Sequence, residues 1–210
     1  MAFDPLLLAV PGVRSLHPYQ PGKSVEELER ELGISGIVKL ASNENPRSPE
    51  KSVQQAIAET LPELSRYPDG GGFRLKRVLA ERLNTDASHI TLGNGSSDVL
   101  EFVVRAFVQP GEGVIVAEHS FAIYTLVAKS VGADLRVIPA VNWGHDLESM
   151  LQAVDKDTRV IFIGNPNNPT GTWVEQERLI RFLDSLPEHV LVVVDEAYFE
   201  YVDEPAYPDG

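Results

Sequence analysis

Asn165-Pro166-Asn167-Asn168-Pro169-Thr170-Gly171 and Asp195-Glu196-Ala197-Tyr198 each follow a run of β-branched apolar residues. They place an amide (Asn168), a carboxylate (Asp195) and a phenol (Tyr198) where neighbouring buried strands end. In open α/β sheets ligands bind outside the carboxyl ends of the strands, so these groups are candidates for site chemistry. Asp195 leaves the continuous apolar run 190–194, and an ionised group there is costly without a cationic or hydrogen-bonding partner. A protonated pyridine-type nitrogen is such a partner. Tyr198, three residues on, sets a phenol beside the same ring, and Asn168, held between prolines, offers an amide donor and acceptor. The trio suits a flat heteroaromatic ligand, although singly Asp195 reads as a turn cap and Tyr198 as packing. Upstream, Gly95-Ser96-Ser97-Asp98 opens a helix whose bare N–H groups and hydroxyls form an anion cradle suited to a phosphate. Taken alone, Ser96 reads as an ordinary N-cap.

Rival chemistries fit less well. Gly22-Lys23-Ser24 imitates the end of a P-loop, but His17 stands where its first glycine belongs and no apolar strand precedes it. Gly93-Asn94-Gly95-Ser96-Ser97-Asp98, with Glu118 as a ribose acid, imitates a dinucleotide fingerprint, but Asp98 replaces the third glycine. There is no Gly-x-Ser-x-Gly elbow. With no cysteine, thiolate nucleophiles and cysteine-ligated zinc are excluded, and the five histidines form no i, i+4 pair, so no metal is expected.

These residues need elements to position them. Residues 1–22 are rich in proline and read as an extended arm. Ser24 as cap, Glu27 three residues later and Gly33 as stop predict a helix over 24–32. Short strands are expected at 37–41 and 90–92, and helices at 49–61, 74–83 and 96–108. From there strands (114–117, 135–139, 160–163, 190–194) alternate with helices (121–131, 146–154, 175–186), which implies parallel βαβ units. The run 190–194 predicts a strand covered on both faces.

The 210 residues are 43% apolar, enough for a real core. A formal net charge of −13 repels phosphate backbones and anionic membranes, so no nucleic-acid or membrane partner is expected. No apolar run approaches a membrane span and residues 1–10 lack signal-peptide features, so a soluble cytoplasmic protein is expected.

In combination, Asn167-Asn168-Pro169-Thr170-Gly171, Asp195-Glu196-Ala197-Tyr198 and the Gly-Ser-Ser-Asp helix start resemble the fold-type I aminotransferases that use pyridoxal 5'-phosphate. Tyr19-Gln20-Pro21-Gly22, Ser42-Asn43-Glu44-Asn45-Pro46 and Arg66-Tyr67-Pro68-Asp69-Gly70 narrow the resemblance to the histidinol-phosphate branch of that family. It implies an α/β fold, a mostly parallel sheet with helices on both faces, preceded by an extended N-terminal arm. It also implies that Gly95, Ser96 and Ser97 hold the cofactor phosphate, that Phe121 stacks on the ring, and that Asn168 and Tyr198 bond the ring oxygen. Asp195 would pair with the ring nitrogen. Tyr67 would reach a neighbouring subunit's cofactor phosphate in a homodimer, and Tyr19 and Asn43 would lie near the amino-acid substrate, with a 2-oxo acid as its counterpart.

One departure is large. The family's Schiff-base lysine lies downstream of the Asp-Glu-Ala-Tyr strand, whereas the last lysine here is Lys156. The chain therefore reads as an arm and first helix (1–35) and an incomplete cofactor-binding large domain (36–210), truncated before the lysine segment and the small domain and inactive alone. A relative acting on aromatic amino acids, one resembling threonine-phosphate decarboxylase, and a non-catalytic binding module of the same fold are the alternatives.

Overall fold

The computed structural model describes residues 7–14, 16–17 and 22–208. Tyr19 lies outside them. By internal contacts the chain forms two compact units, Met1–His17 with Thr91–Gly210, and Pro18–Ile90.

The larger unit is built on a four-stranded parallel sheet in the order β2-β1-β3-β4. Its strands are β1 (Gly113–Ala117), β2 (Asp134–Ile138), β3 (Thr158–Gly164) and β4 (Leu191–Asp195). The unit's helices are α1 (Pro11–Arg14), α5 (Gly95–Phe107), α6 (Ala122–Ser130), α7 (Leu147–Gln152) and α8 (Gln176–Asp184). Alternate strand residues feed two cores. Val114, Val116, Val160 and Phe162 pack with α5 and α6, while Ile115, Ile161 and Ile163 pack with α7 and α8. Helices thus cover both faces, as expected for an α/β fold of this kind. The split follows from the strand order. The chain steps from β1 to β2 in one direction, then reverses to β3 and β4, and crossovers of constant hand put the later helices on the opposite face.

Two expectations need correction, and a third holds. Residues 37–41 and 90–92 form no strand, because the described residues contain no other strand beside them and an isolated strand leaves its ladder groups unpaired. β4 is covered on both faces, Val193 packing against the first core and Val192 and Val194 against the second. Among the described strands it is the outermost, and it is half-buried, with Leu191 37% exposed. The serines at 96 and 97 do not cap α5, since Asn94 holds that position.

The smaller unit carries α2 (Val25–Leu32), α3 (Lys51–Thr60) and α4 (Phe73–Arg82). Ser24 caps α2 by accepting from the Glu27 N–H at 3.1 Å, and Gly33 ends it at φ 66°. None of this unit's described residues is fully buried.

Candidate active site

A parallel sheet opens a crevice where its chain order reverses, here between β1 and β3. The segments leaving the carboxyl ends of β1, β3 and β4 converge there with the start of α5. Asp195 pairs with Gly164 across β3 and β4, and the Asn165 N–H donates to the Asp195 carbonyl at 2.9 Å, so the two motifs leave the sheet side by side. Between them lies an open cleft whose lining includes Ser96, Phe121, Asn168, Asp195 and Tyr198. Five of the residues expected from the sequence therefore line one space.

Asp195 is half-buried and held by two donors. The Tyr124 hydroxyl donates to its Oδ2 at 2.8 Å, and the Ala197 N–H donates to its Oδ1 at 3.1 Å. Tyr124 is 1% exposed, stacks on Phe162 (centroids 5.0 Å, 7° between planes) and meets Phe121 edge-on at 5.8 Å. Burial, and next the negative charge of Asp195, push the Tyr124 hydroxyl well above its ordinary value of 10, which keeps it a neutral donor. The Asn168 amide donates to the Tyr198 hydroxyl at 3.5 Å, the outer limit of a hydrogen bond.

The loop after β3 has a fixed shape because its asparagines are tied inward. The buried Asn165 accepts from the Val174 N–H at 2.8 Å, and Tyr207 donates to the Asn165 carbonyl. Asn167 donates to the His119 carbonyl and to Thr170 Oγ1, both at 2.7 Å, stitching this loop to the one after β1. The Asn165–Pro166 and Asn168–Pro169 peptides are both cis.

At the opposite rim, Gly95 begins α5 at φ 73°, a conformation that favours glycine, with open space where a Cβ would stand. Asp98 turns back to accept from the Asn94 N–H at 2.9 Å and its amide at 3.0 Å. The Gly95, Ser96 and Ser97 N–H groups lie in the first turn, where a helix has donors without intrahelical partners. Ser96 lines the cleft; Gly95 and Ser97 do not.

Asn43, with φ 49°, and Tyr67, fully exposed, belong to the other unit. Sequence reasoning missed Tyr124. A hydroxyl on the buried side of an apolar helix, three residues after Phe121, is its only local signal. Lys23, Lys39, Lys51, Lys76, Lys129 and Lys156 are the chain's lysines, and none lines the cleft.

The pattern of the family described as aminotransferase class I and II matches residues 35–209. The chain belongs to this family. It is 56% identical over 212 residues to histidinol-phosphate aminotransferase 2 of Pseudomonas fluorescens strain Pf-5, covering 100% of this chain and 57% of that protein. Its identity to the protein of the same name from Pseudomonas aeruginosa is 56% over 209 residues, covering 99% and 57%. Among solved structures, histidinol-phosphate aminotransferase of Sinorhizobium meliloti in complex with pyridoxal-5'-phosphate superposes with a TM-score of 0.84 at 31% identity, over 94% of this chain and 53% of that one. The chain thus spans a little over half the length of these aminotransferases.

Proposed function

We propose that the complete protein is a pyridoxal 5'-phosphate-dependent aminotransferase that moves an amino group between L-histidinol phosphate and 2-oxoglutarate, giving imidazole-acetol phosphate and glutamate in histidine biosynthesis. The observation that carries this reading is the meeting of Ser96, Phe121, Asn168, Asp195 and Tyr198 in one cleft at the strand ends. The donor set fits the cofactor: a carboxylate for a protonated ring nitrogen, an aromatic face, an amide and a phenol for a ring oxygen, and helix N–H groups for a phosphate. The names of the relatives favour histidinol phosphate over other amino donors.

When bound, pyridoxal phosphate supplies an electron sink for the charge left as a substrate proton departs. Asp195 holds a proton on the ring nitrogen. Phe121 covers a ring face, Asn168 and Tyr198 donate to the ring oxygen, and Gly95, Ser96 and Ser97 bind the phosphate. Tyr67 serves a neighbouring subunit's phosphate in a homodimer, and Tyr19 and Asn43 contact the amino-acid substrate. In this reading residues 1–35 are the arm and first helix and 36–210 an incomplete large domain of a cytoplasmic enzyme. The 210 residues alone are inactive because none of their lysines lines the cleft.

The test compares amino donors for the complete protein by glutamate release from 2-oxoglutarate. Histidinol phosphate outpacing phenylalanine in kcat/KM by at least about a hundredfold, the discrimination expected of a site built to bond a phosphate, supports the reading. Equal rates, or a preference for phenylalanine, overturn the substrate assignment.

A further inference from the structure

Tyr124 is a buried side chain that touches both the carboxylate and the aromatic ring assigned to the cofactor, bonding Asp195 Oδ2 at 2.8 Å and meeting Phe121 edge-on. The aminotransferase roles described above give it no part. We propose that Tyr124 is a positioning residue that fixes the Asp195 carboxylate toward the cleft and thereby governs how strongly the site grips a basic ring nitrogen. The inference rests on the pyridoxal phosphate reading of the cleft.

The carboxylate hangs from the last residue of β4, where the chain leaves the sheet. Its orientation depends on what its two oxygens accept. The Ala197 N–H holds Oδ1 from the turn that follows, and the Tyr124 hydroxyl holds Oδ2 from α6, on the other side of the crevice. With one donor on each oxygen, rotation about the terminal bond is blocked and the remaining lone pairs can face the cleft. Tyr124 is itself immobilised between Phe162 and Phe121. Its hydroxyl is also 3.2 Å from where a Cβ on Gly164 would stand, so the bare glycine at the end of β3 is what leaves room for it. Because the phenol stays protonated, it donates and never competes with the ligand for a proton.

The experiment measures the Kd of two ligands for the complete apoprotein: pyridoxal phosphate, and its carbocyclic analogue with C–H in place of the ring nitrogen. Tyr124→Phe keeps both ring contacts and removes only the hydroxyl, and an unchanged circular dichroism spectrum checks that the variant folds. Wild type should bind pyridoxal phosphate more tightly than the analogue. In Tyr124→Phe that preference should shrink by about tenfold, the worth of one charge-assisted hydrogen bond, while affinity for the analogue barely changes. Equal weakening of both ligands would mean that Tyr124 only supports the fold, and an undiminished preference would mean that Asp195 needs no such support; either overturns the inference. Should wild type bind both ligands equally, the pairing of Asp195 with a ring nitrogen fails at its root, a result separate from any effect of the variant.

Discussion

Asp195 is useful at the end of β4 because its charge is neither free nor neutralised by a lysine or arginine in the cleft; two neutral donors hold it, leaving it available to a cationic ring. Asp195→Ala in the complete protein should lower kcat on the order of 10²–10³-fold, measured by steady-state transamination, since it removes the acceptor that stabilises developing charge. A second residue sets a pH dependence of stability. His145 is 6% exposed, and burial lowers its pKa from the ordinary 6.5 against the opposing effect of its hydrogen bond to the Gly164 carbonyl at 2.8 Å. The folded state therefore favours the neutral imidazole. Its contribution is complete above pH 6.5 and is lost as pH falls through the lower folded value. The urea midpoint should drop between pH 7 and pH 5, and His145→Gln should flatten that part of the curve.

At the scale of elements, the end of β3 joins strand, loop and helix. A Cβ on Gly164 would stand 3.1 Å from Asn167 Oδ1 and 3.2 Å from the Tyr124 hydroxyl, tighter than ordinary contact with two groups that have little room to retreat. Gly164→Ala should cost about 1–3 kcal/mol in denaturant unfolding and weaken cofactor binding by displacing Tyr124. Locally encoded features were legible in the sequence. Ser24 and Gly33 bracket α2 because a cap is decided by residues within a turn, and the βαβ alternation after residue 113 follows from hydrophobic period alone. Features that depend on distant partners were not. Residues 37–41 carry a strand-like composition, but a strand exists only beside another, and the apolar run of β4 cannot reveal which strand it pairs with. The bond from Tyr124 to Asp195 spans 71 positions, so nothing beside either residue announces it. Asn168, Asp195 and Tyr198 were readable because each ends or follows an apolar run, which marks a strand end without naming its neighbours.

For the whole molecule, the reversal of strand order between β1 and β3 brings loops far apart in sequence into one cleft, and with a −13 net charge the proposed phosphate site would depend on local helix N–H groups rather than on the overall field. No helix among the described residues is long and apolar enough to cross a membrane. The 210-residue chain, supplied with saturating pyridoxal phosphate and both substrates, should form no glutamate above background, while the complete protein should; turnover by the shorter chain would show that the cleft works without a lysine. The most direct test of the central claim is pyridoxal phosphate affinity of the complete protein, measured by fluorescence quenching for wild type, Asp195→Asn and Asn168→Ala. If the cleft at the ends of β1, β3 and β4 is the cofactor site, each substitution weakens binding by about tenfold, the loss of one hydrogen bond. Wild-type affinity in both variants would contradict it.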